Sequence, residues 1–275
     1  MTHRFVKMNG LGNDFIVVDA RQQAFLPDTD TVRALARRQG GIGCDQLIAL
    51  EPSAKSNVFM RIWNADGSEA GACGNATRCV GQILLNETGA TQVSIDTLGG
   101  VLIARRGLGD AVTVDMGKPG LDWQQIPLAR PMDTRAIDLS IELTVGPHLS
   151  APGCVSMGNP HVVFFVADAE AAPVKTIGPF VEHNPLFPEG VNVGFAQVLA
   201  KDKIRLKVWE RGAGLTLACG TGACAALVAA HRQGLTDRKV VLVMDGGELQ
   251  IEWREADDHV LMTGPVETEF EGLLP

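Results

Sequence analysis

No run of lysine and arginine forms a basic stripe in the 275 residues, and the formal net charge is −8. Binding to nucleic acid draws on a basic stripe that neutralises phosphates, so this composition argues against a nucleic-acid partner. Long apolar runs are missing too. The longest, around ACAALVAA, falls far short of the roughly 20 residues that cross a bilayer. The opening MTHRFVKMNG carries no signal-peptide core. A cytoplasmic protein with no membrane partner is expected.

The spacing Cys-x₂-Cys is also absent. Cys73/Cys79 and Cys219/Cys224 stand at other intervals and no His-x₃₋₅-His follows them, so neither a zinc knuckle nor a dithiol redox pair is written here. Without an export signal, the six cysteines are expected as reduced thiols. GLGND and GGIGCD look like pieces of a dinucleotide loop, yet neither supplies Gly-x-Gly-x-x-Gly at a strand-to-helix turn. NADGSE lacks the alternating ligands of a calcium loop and reads as a turn. No metal and no dinucleotide are expected.

What the chain does contain is ordinary globular material, 45% hydrophobic and 20% charged, enough for one large or two medium domains. Residues 72–79 read ACGNATRC and residues 218–225 read ACGTGACA. From Cys73 to Cys219 is 219 − 73 = 146 residues, and other matches recur at that offset. Gly12-Asn13-Asp14-Phe15 aligns with Gly158-Asn159-Pro160-His161, Gln46 with Asn192, Trp63-Asn64 with Trp209-Glu210, and Met116 and Pro119 with Met262 and Pro265. Two homologous halves are read, roughly 1–120 and 147–266, joined through KPGLDWQQIPLARPMD.

Short β-branched runs such as VSIDTLGG, VLIARR, KVVLVMDGG and LQIEW predict strands separated by Gly-rich turns. Each half has a peripheral helix, TVRALARRQ in the first and PVKTIGPFVEHN in the second. The segments ATRCVGQILLNETGA and GACAALVAAHRQG are apolar on nearly every face, which predicts buried helices inside a curled sheet. The expected fold is therefore α+β: two pseudo-symmetric β-rich halves, each curled around one central helix, with a cleft between them. The expected domains are 1–120 carrying Cys73, with the tail 266–275 returning to it, and 121–265 carrying Cys219.

Cys73 and Cys219 each stand at the start of a buried helix. Unpaired N–H groups and the helix dipole favour negative charge there, which is expected to lower a thiol pKa and to seat a carboxylate. Two such thiols on opposite faces of one carbon would be the base and the acid that inverting a C–H stereocentre requires. The other four, Cys44, Cys79, Cys154 and Cys224, read as small buried hydrophobes.

NGLGNDF, NADGSE followed by ACGN and RC, SMGNPHVVFFV, GVNVGFAQV and WERGAGLTLACGTGACA together resemble the diaminopimelate epimerase family over nearly the whole chain. The resemblance implies that family's two-domain fold. It also implies cofactor-independent conversion of LL-diaminopimelate to the meso form, in lysine and peptidoglycan precursor synthesis, by a homodimer. By motif, Cys73 and Cys219 correspond to the acid–base pair, with Cys219 the acceptor and Cys73 the donor in the LL-to-meso direction. The backbone amides of Gly74, Asn75, Gly220 and Thr221 are implied as the seat of the α-carboxylate. Asn13, Gln46, Asn64, Asn159, Asn192 and Arg211 are implied as polar substrate ligands, and a planar guanidinium at Arg211 suits a distal carboxylate. His161 and Glu210 correspond to residues that tune the thiols, Glu210 also lying among the substrate contacts, and a histidine is easily poised near neutral pH.

Two departures from the family's pattern stand out. The first segment reads CGNATRC where Gly-Ala more usually follows CGN. Tyrosine is absent altogether, and Phe270 takes the place of a Tyr near the C-terminus that contacts the dimer partner. Two other readings stay open: a proline or hydroxyproline racemase-like epimerase of the same fold, and a non-catalytic small-molecule binding protein.

Overall fold

The structure, a computed structural model, describes residues 2–142 and 148–274. Residue 147, where the second half was expected to start, and Pro275, at the end of the returning tail, lie outside the described residues. In chain order the elements begin with β1 (Arg4–Gly10), β2 (Asn13–Asp19), α1 (Thr29–Ala36), β3 (Gln46–Glu51), β4 (Val58–Asn64), α2 (Gly74–Thr88), β5 (Gln92–Thr97), β6 (Gly100–Arg106) and β7 (Val112–Asp115). They continue with β8 (Ser140–Ile141), β9 (Leu149–Ser150), β10 (Gly153–Ser156), β11 (Pro160–Phe165), α3 (Val174–Glu182), β12 (Asn192–Ala200), β13 (Lys203–Glu210) and β14 (Gly214–Thr216). The last are α4 (Gly220–Arg232), β15 (Lys239–Met244), β16 (Gly247–Trp253), β17 (Val260–Gly264) and β18 (Glu267–Leu273). This is the mixed, sheet-rich α/β class that the strand and helix patterns predicted.

The chain divides into two compact units. One comprises Met1–Asp115 with Thr263–Pro275, and the other Met116–Met262. In the first unit the strands run in the order β7-β6-β5-β4-β3-β2-β1-β18. Helix α2 packs against β1, β2, β5, β6 and β7, strands from well-separated parts of that order, so the sheet curls around the helix. In the second unit the order is β10-β11-β12-β13-β15-β16-β17, with β14 added to β13. Helix α4 touches β10, β11, β12, β13, β15 and β16, again from one end of the curl to the other.

The apolar sequences of these two helices account for their position. In α4 every residue from Gly222 to Ala230 is buried, and in α2 burial is continuous from Gly74 to Gly81. A helix apolar all round has no face for water and is stable only when enclosed. The outer face of each sheet is covered by the peripheral helix. Val32 and Leu35 of α1 join Ile16, Val18, Leu47 and Trp63 in one core. Ile177 and Val181 of α3 join Phe164, Val193 and Phe195 in the other, with Trp209 packed against it. Helix α1 begins two residues before the TVRALARRQ stretch, because Asp28 caps it by accepting from the Thr31 amide at 2.8 Å.

The 146-residue offset is visible in the hydrogen-bond register. β2 pairs with β3 in parallel with Phe15 opposite Gln46, and β11 pairs with β12 in parallel with His161 opposite Asn192. Leu47 faces Trp63 across β3 and β4 as Val193 faces Trp209 across β12 and β13. Even the glycine before each of Asn13 and Asn159 shares its conformation. Gly12 and Gly158 have φ of 78° and 88°, the left-handed region that a side chain adopts only at a cost.

Helix α2 lies so close to β6 that a Cβ placed on Gly81 would sit 2.6 Å from the Ala104 Cβ. Neither atom belongs to a flexible side chain, so the helix must shift to admit a methyl group. Gly81→Ala is expected to lower stability by about 1–3 kcal/mol, read as a fall in the denaturant midpoint at constant slope. An unchanged midpoint would show that α2 is free to move away from the sheet.

Candidate active site

Each candidate thiol is the N-cap of its buried helix. Cys73 precedes α2 with extended backbone (φ −146°, ψ 113°) and its Sγ accepts from the Ala76 amide at 3.5 Å. Cys219 precedes α4 in nearly the same conformation (φ −129°, ψ 107°) and accepts from Gly222 at 3.4 Å. Capping by the side chain uses the third amide of the helix. The thiol bond thus leaves the amides of Gly74 and Asn75 in one unit, and of Gly220 and Thr221 in the other, for other acceptors.

In the first unit the asparagine that opens β2 is brought to the Cys73 thiol. Sγ donates to Asn13 Oδ1 at 3.9 Å, and Asn75 Nδ2 donates to the same oxygen at 3.4 Å. Gln46 and Asn64 are register partners on β3 and β4, and Gln46 Nε2 donates to Asn64 Oδ1 at 3.0 Å. Asn64 in turn donates to Ser68 Oγ at 3.0 Å. Gln46 Oε1 is buried and has no hydrogen-bond partner among the described residues. A buried acceptor in that state costs about 1–3 kcal/mol.

In the second unit Asn159 Nδ2 donates to Thr221 Oγ1 at 3.3 Å, and Thr221 Oγ1 lies 3.7 Å from Cys219 Sγ. His161 Nε2 donates to Asn159 Oδ1 at 3.0 Å. Asn192 Nδ2 donates to the Pro160 carbonyl at 2.9 Å while its Oδ1 accepts from the Arg211 amide at 3.0 Å. The Arg211 side chain is exposed, with Nη1 on the Glu189 carbonyl at 2.8 Å. Glu210 accepts from the Thr216 hydroxyl and interacts with Cys219 through its side chain. The sequence-predicted residues therefore form two groups, one in each unit. Cys73, Asn13 and Asn75 are joined directly, Gln46 and Asn64 form a pair, and Cys219, Glu210, Thr221, Asn159 and His161 are linked, with Asn192 holding Arg211.

Electrostatics alter two expectations. The Cys219 thiol is only 4% exposed, and its pKa is pushed well above the usual thiol value by burial first and by the neighbouring Glu210 carboxylate second. The bond from Gly222 and the contact with Thr221 oppose this without reversing it. The expected lowering at a helix start is thus overturned at Cys219. A helix terminus favours an anion by only about 0.3–1 kcal/mol, whereas full burial moves a pKa by several units at about 1.4 kcal/mol each. Burial also raises Glu210. His161 is not poised near neutrality: burial, aided by the charge of Arg211, lowers it to about 3. It is a neutral imidazole whose Nε2–H points at Asn159. Cys44 and Cys79 are pushed up to about 12 by burial, and burial also raises Cys154, as inert core thiols should be.

Several residues behind the site were not read from the sequence. Asp45 Oδ2 accepts from Asn13 Nδ2 at 2.9 Å, which fixes which end of that amide faces Cys73. Asp45 is held by Arg38 at 2.6 Å, and Arg38 also grips Asp14 beside Lys7. Burial alone would raise Asp14, but bonds from Arg38 and Lys7 outweigh it and hold the carboxyl well below its usual range. Arg78, fully buried in α2, donates to Asn75 Oδ1 at 3.0 Å. An arginine beside the apolar Cys79-Val80 pair in the buried first half of α2 was a usable signal for this role. Nothing near Asp45 in the chain marks it as a partner of Asn13, which lies 32 residues away. Among the described residues no group of His, Cys, Asp and Glu could hold a metal ion, and no helix is long and apolar enough to cross a membrane.

The family model described as diaminopimelate epimerase matches residues 5–121 and 153–269. A diaminopimelate epimerase of Phenylobacterium zucineum is 58% identical over 275 residues, covering 100% of this chain and 99% of that protein. One of Caulobacter sp. strain K31 is 55% identical over 284 residues, covering 100% and 98%. Among solved structures, a hydroxyproline epimerase from Agrobacterium vitis superposes with a TM-score of 0.69 at 14% identity, covering 99% of this chain and 92% of that one. That identity speaks for a shared fold alone.

The low pKa of His161 has a consequence for stability. The unfolded chain binds a proton at this side chain near pH 6.5, and the folded protein binds one only near pH 3. Between those values the unfolded state holds more protons, so this group's contribution to stability falls as the pH falls and is constant above about 6.5. The slope approaches 1.4 kcal/mol per pH unit. Denaturant titrations at pH 7 and pH 5 should show the loss in the native protein and a smaller loss in His161→Gln. Equal losses would assign the pH dependence to other groups.

Proposed function

The chain belongs to the diaminopimelate epimerase family, and from that premise we propose that it inverts one α-carbon of LL-diaminopimelate to give the meso form. Cys219 and Cys73 are the two proton carriers in this reading. The observation that carries it is the repeated capping of a buried helix by a cysteine, once in each unit, with matching conformation and matching amide contacts.

Inversion without a cofactor needs a base on one face of Cα and an acid on the other. In the LL-to-meso direction Cys219 accepts the Cα proton and Cys73 delivers one. The raised pKa of Cys219 suits the accepting role, because its thiolate, once formed, holds a proton strongly. Glu210 lies against it as the group to which that thiol passes its proton beforehand. Asn13 Oδ1, accepting from Cys73 Sγ, favours the protonated thiol that a donor must be. The amides of Gly74, Asn75, Gly220 and Thr221 receive the α-carboxylate and stabilise charge as the Cα proton leaves. Asn64, Asn159, Asn192 and the unsatisfied Gln46 Oε1 address the polar groups of the ligand, and Arg211 grips its distal carboxylate. The reaction serves lysine and peptidoglycan precursor synthesis in the cytoplasm, a compartment that keeps two such thiols reduced.

Oligomerisation through β18 fits the same reading. β18 is the outer strand of its sheet, and Phe270 and Leu273 on it are 47% and 60% exposed. The Phe270 ring meets Phe5 edge-on at 5.9 Å, so the aromatic packing persists without the tyrosine hydroxyl. An edge strand with unpaired backbone groups and exposed apolar side chains at Phe270 and Leu273 is a surface that proteins usually cover, and the proposed cover is a second copy of the chain.

In deuterated water the protein is expected to form the meso isomer with deuterium at the inverted carbon. Cys73→Ser and Cys219→Ser should each lower kcat at least about 100-fold with an unchanged circular dichroism spectrum. Near wild-type turnover in either variant would remove the two-base mechanism, and lack of exchange in the native protein would remove the epimerase reading itself.

Sedimentation velocity tests the assembly. The native chain is expected to run as a dimer and Phe270→Asp as a monomer. A native monomer would refute the role given to β18.

A further inference from the structure

Glu182 is the last residue of α3 and is 6% exposed, yet nothing in the reaction described above uses it. Both of its oxygens accept hydrogen bonds from one short stretch of chain. Oε2 takes the indole N–H of Trp209 at 2.7 Å, and Oε1 takes the backbone N–H of Gly212 at 2.8 Å. Those two donors bracket Glu210 and Arg211. The helix can come this close because Gly178, one turn earlier, has no side chain: a Cβ there would lie 2.4 Å from the Trp209 Cγ.

The sheet already holds Glu210, which pairs with Gly214 in the register of β13 and β14. Residues 211–213 are the turn beyond that pair, and Arg211 depends on side chains for its placement. Its own amide is held by Asn192 Oδ1, and the next amide by Glu182. Its guanidinium is directed by the Glu189 carbonyl.

The two halves of the chain differ at this point. At the same 146-residue offset, Ala36 ends α1 where Glu182 ends α3, and Ala65 stands where Arg211 stands. The first half ties its turn differently, through Arg33 Nε on the Asp66 carbonyl at 2.9 Å. The carboxylate is present only in the half whose turn carries an arginine.

We propose that Glu182 is a positioning residue that fixes the Arg211 backbone and so sets the preference for a ligand with a second carboxylate. The proposal rests on the reading of Arg211 given above. A carboxylate is required because two donors converge on two acceptor oxygens. A glutamine of the same shape would turn an NH₂ group toward one of the two N–H groups.

Steady-state kinetics with LL-diaminopimelate tests this on the full chain. Glu182→Gln is expected to raise KM about tenfold while kcat stays within about twofold, since Glu210 remains in its strand. Arg211→Ala should raise KM at least as much. In the double variant KM should be no higher than in Arg211→Ala alone, because Glu182 acts through Arg211. Trp209→Phe added to Glu182→Gln removes one of the two donors, leaves the glutamine oxygen for Gly212, and should bring KM back toward the native value even if the single variant folds poorly.

An unchanged KM in Glu182→Gln, beside a raised KM in Arg211→Ala, overturns the positioning role and leaves the reading of Arg211 standing. So do KM increases that multiply in the double variant. An unchanged KM in Arg211→Ala overturns both.

Discussion

A helix enclosed at its start must satisfy its first-turn N–H groups from inside the protein, and in both units a cysteine sulfur satisfies one of them. The first two turns of α2 and nearly all of α4 are buried inside a curled sheet. Enclosure removes water as a partner for the helix start. The side chain at the cap is therefore buried or half-buried, in contact with backbone donors and close to Asn13, the first residue of β2, in one unit and to Thr221, which Asn159 contacts, in the other. Folding and chemistry share this one interaction: the group that caps the helix is the group able to carry a proton.

Duplication supplies two such starts, and the differences between them give each its character. In the first unit the thiol meets an amide oxygen, Asn13 Oδ1, whose orientation is set by Asp45 and, behind it, Arg38. In the second it is more deeply buried and faces the Glu210 carboxylate, which together push its pKa well above the usual thiol value. An amide oxygen beside one thiol and a carboxylate beside the other give the two caps different electrostatic surroundings on nearly the same backbone conformation. The competition is decided by magnitude. The field of a helix terminus is worth less than one pKa unit, and desolvation is worth several.

The same division separates the turns that follow the tryptophan strands. Both are held by the peripheral helix, one by a guanidinium on a carbonyl and the other by a buried carboxylate on an amide. Burying a carboxylate is costly unless its oxygens are bonded, and Glu182 meets that condition at both oxygens. The second unit thus carries an ordered arginine-bearing turn where the first has alanine.

Much of this was legible in the residues alone. Periodicity marked the strands, uniform apolarity marked the two enclosed helices, and the repeated Ala-Cys-Gly marked their starts, because each of these is a local property of the chain. The 146-residue offset foretold the matched registers of β2 with β3 and of β11 with β12, since two copies of one pattern fold alike. What neighbouring residues cannot encode is depth and distant partnership. His161 looks like a near-neutral histidine until burial shows it to be a neutral one, and the same burial reverses the expected shift at Cys219. Asp45 behind Asn13, Arg78 behind Asn75 and Glu182 behind Arg211 reach their partners only when separate elements pack together. Desolvation and hydrogen bonding act through space at a few ångströms, so the sequence by itself determined the elements and the chemical types at the site, and only the tertiary structure decided their protonation and their orientation.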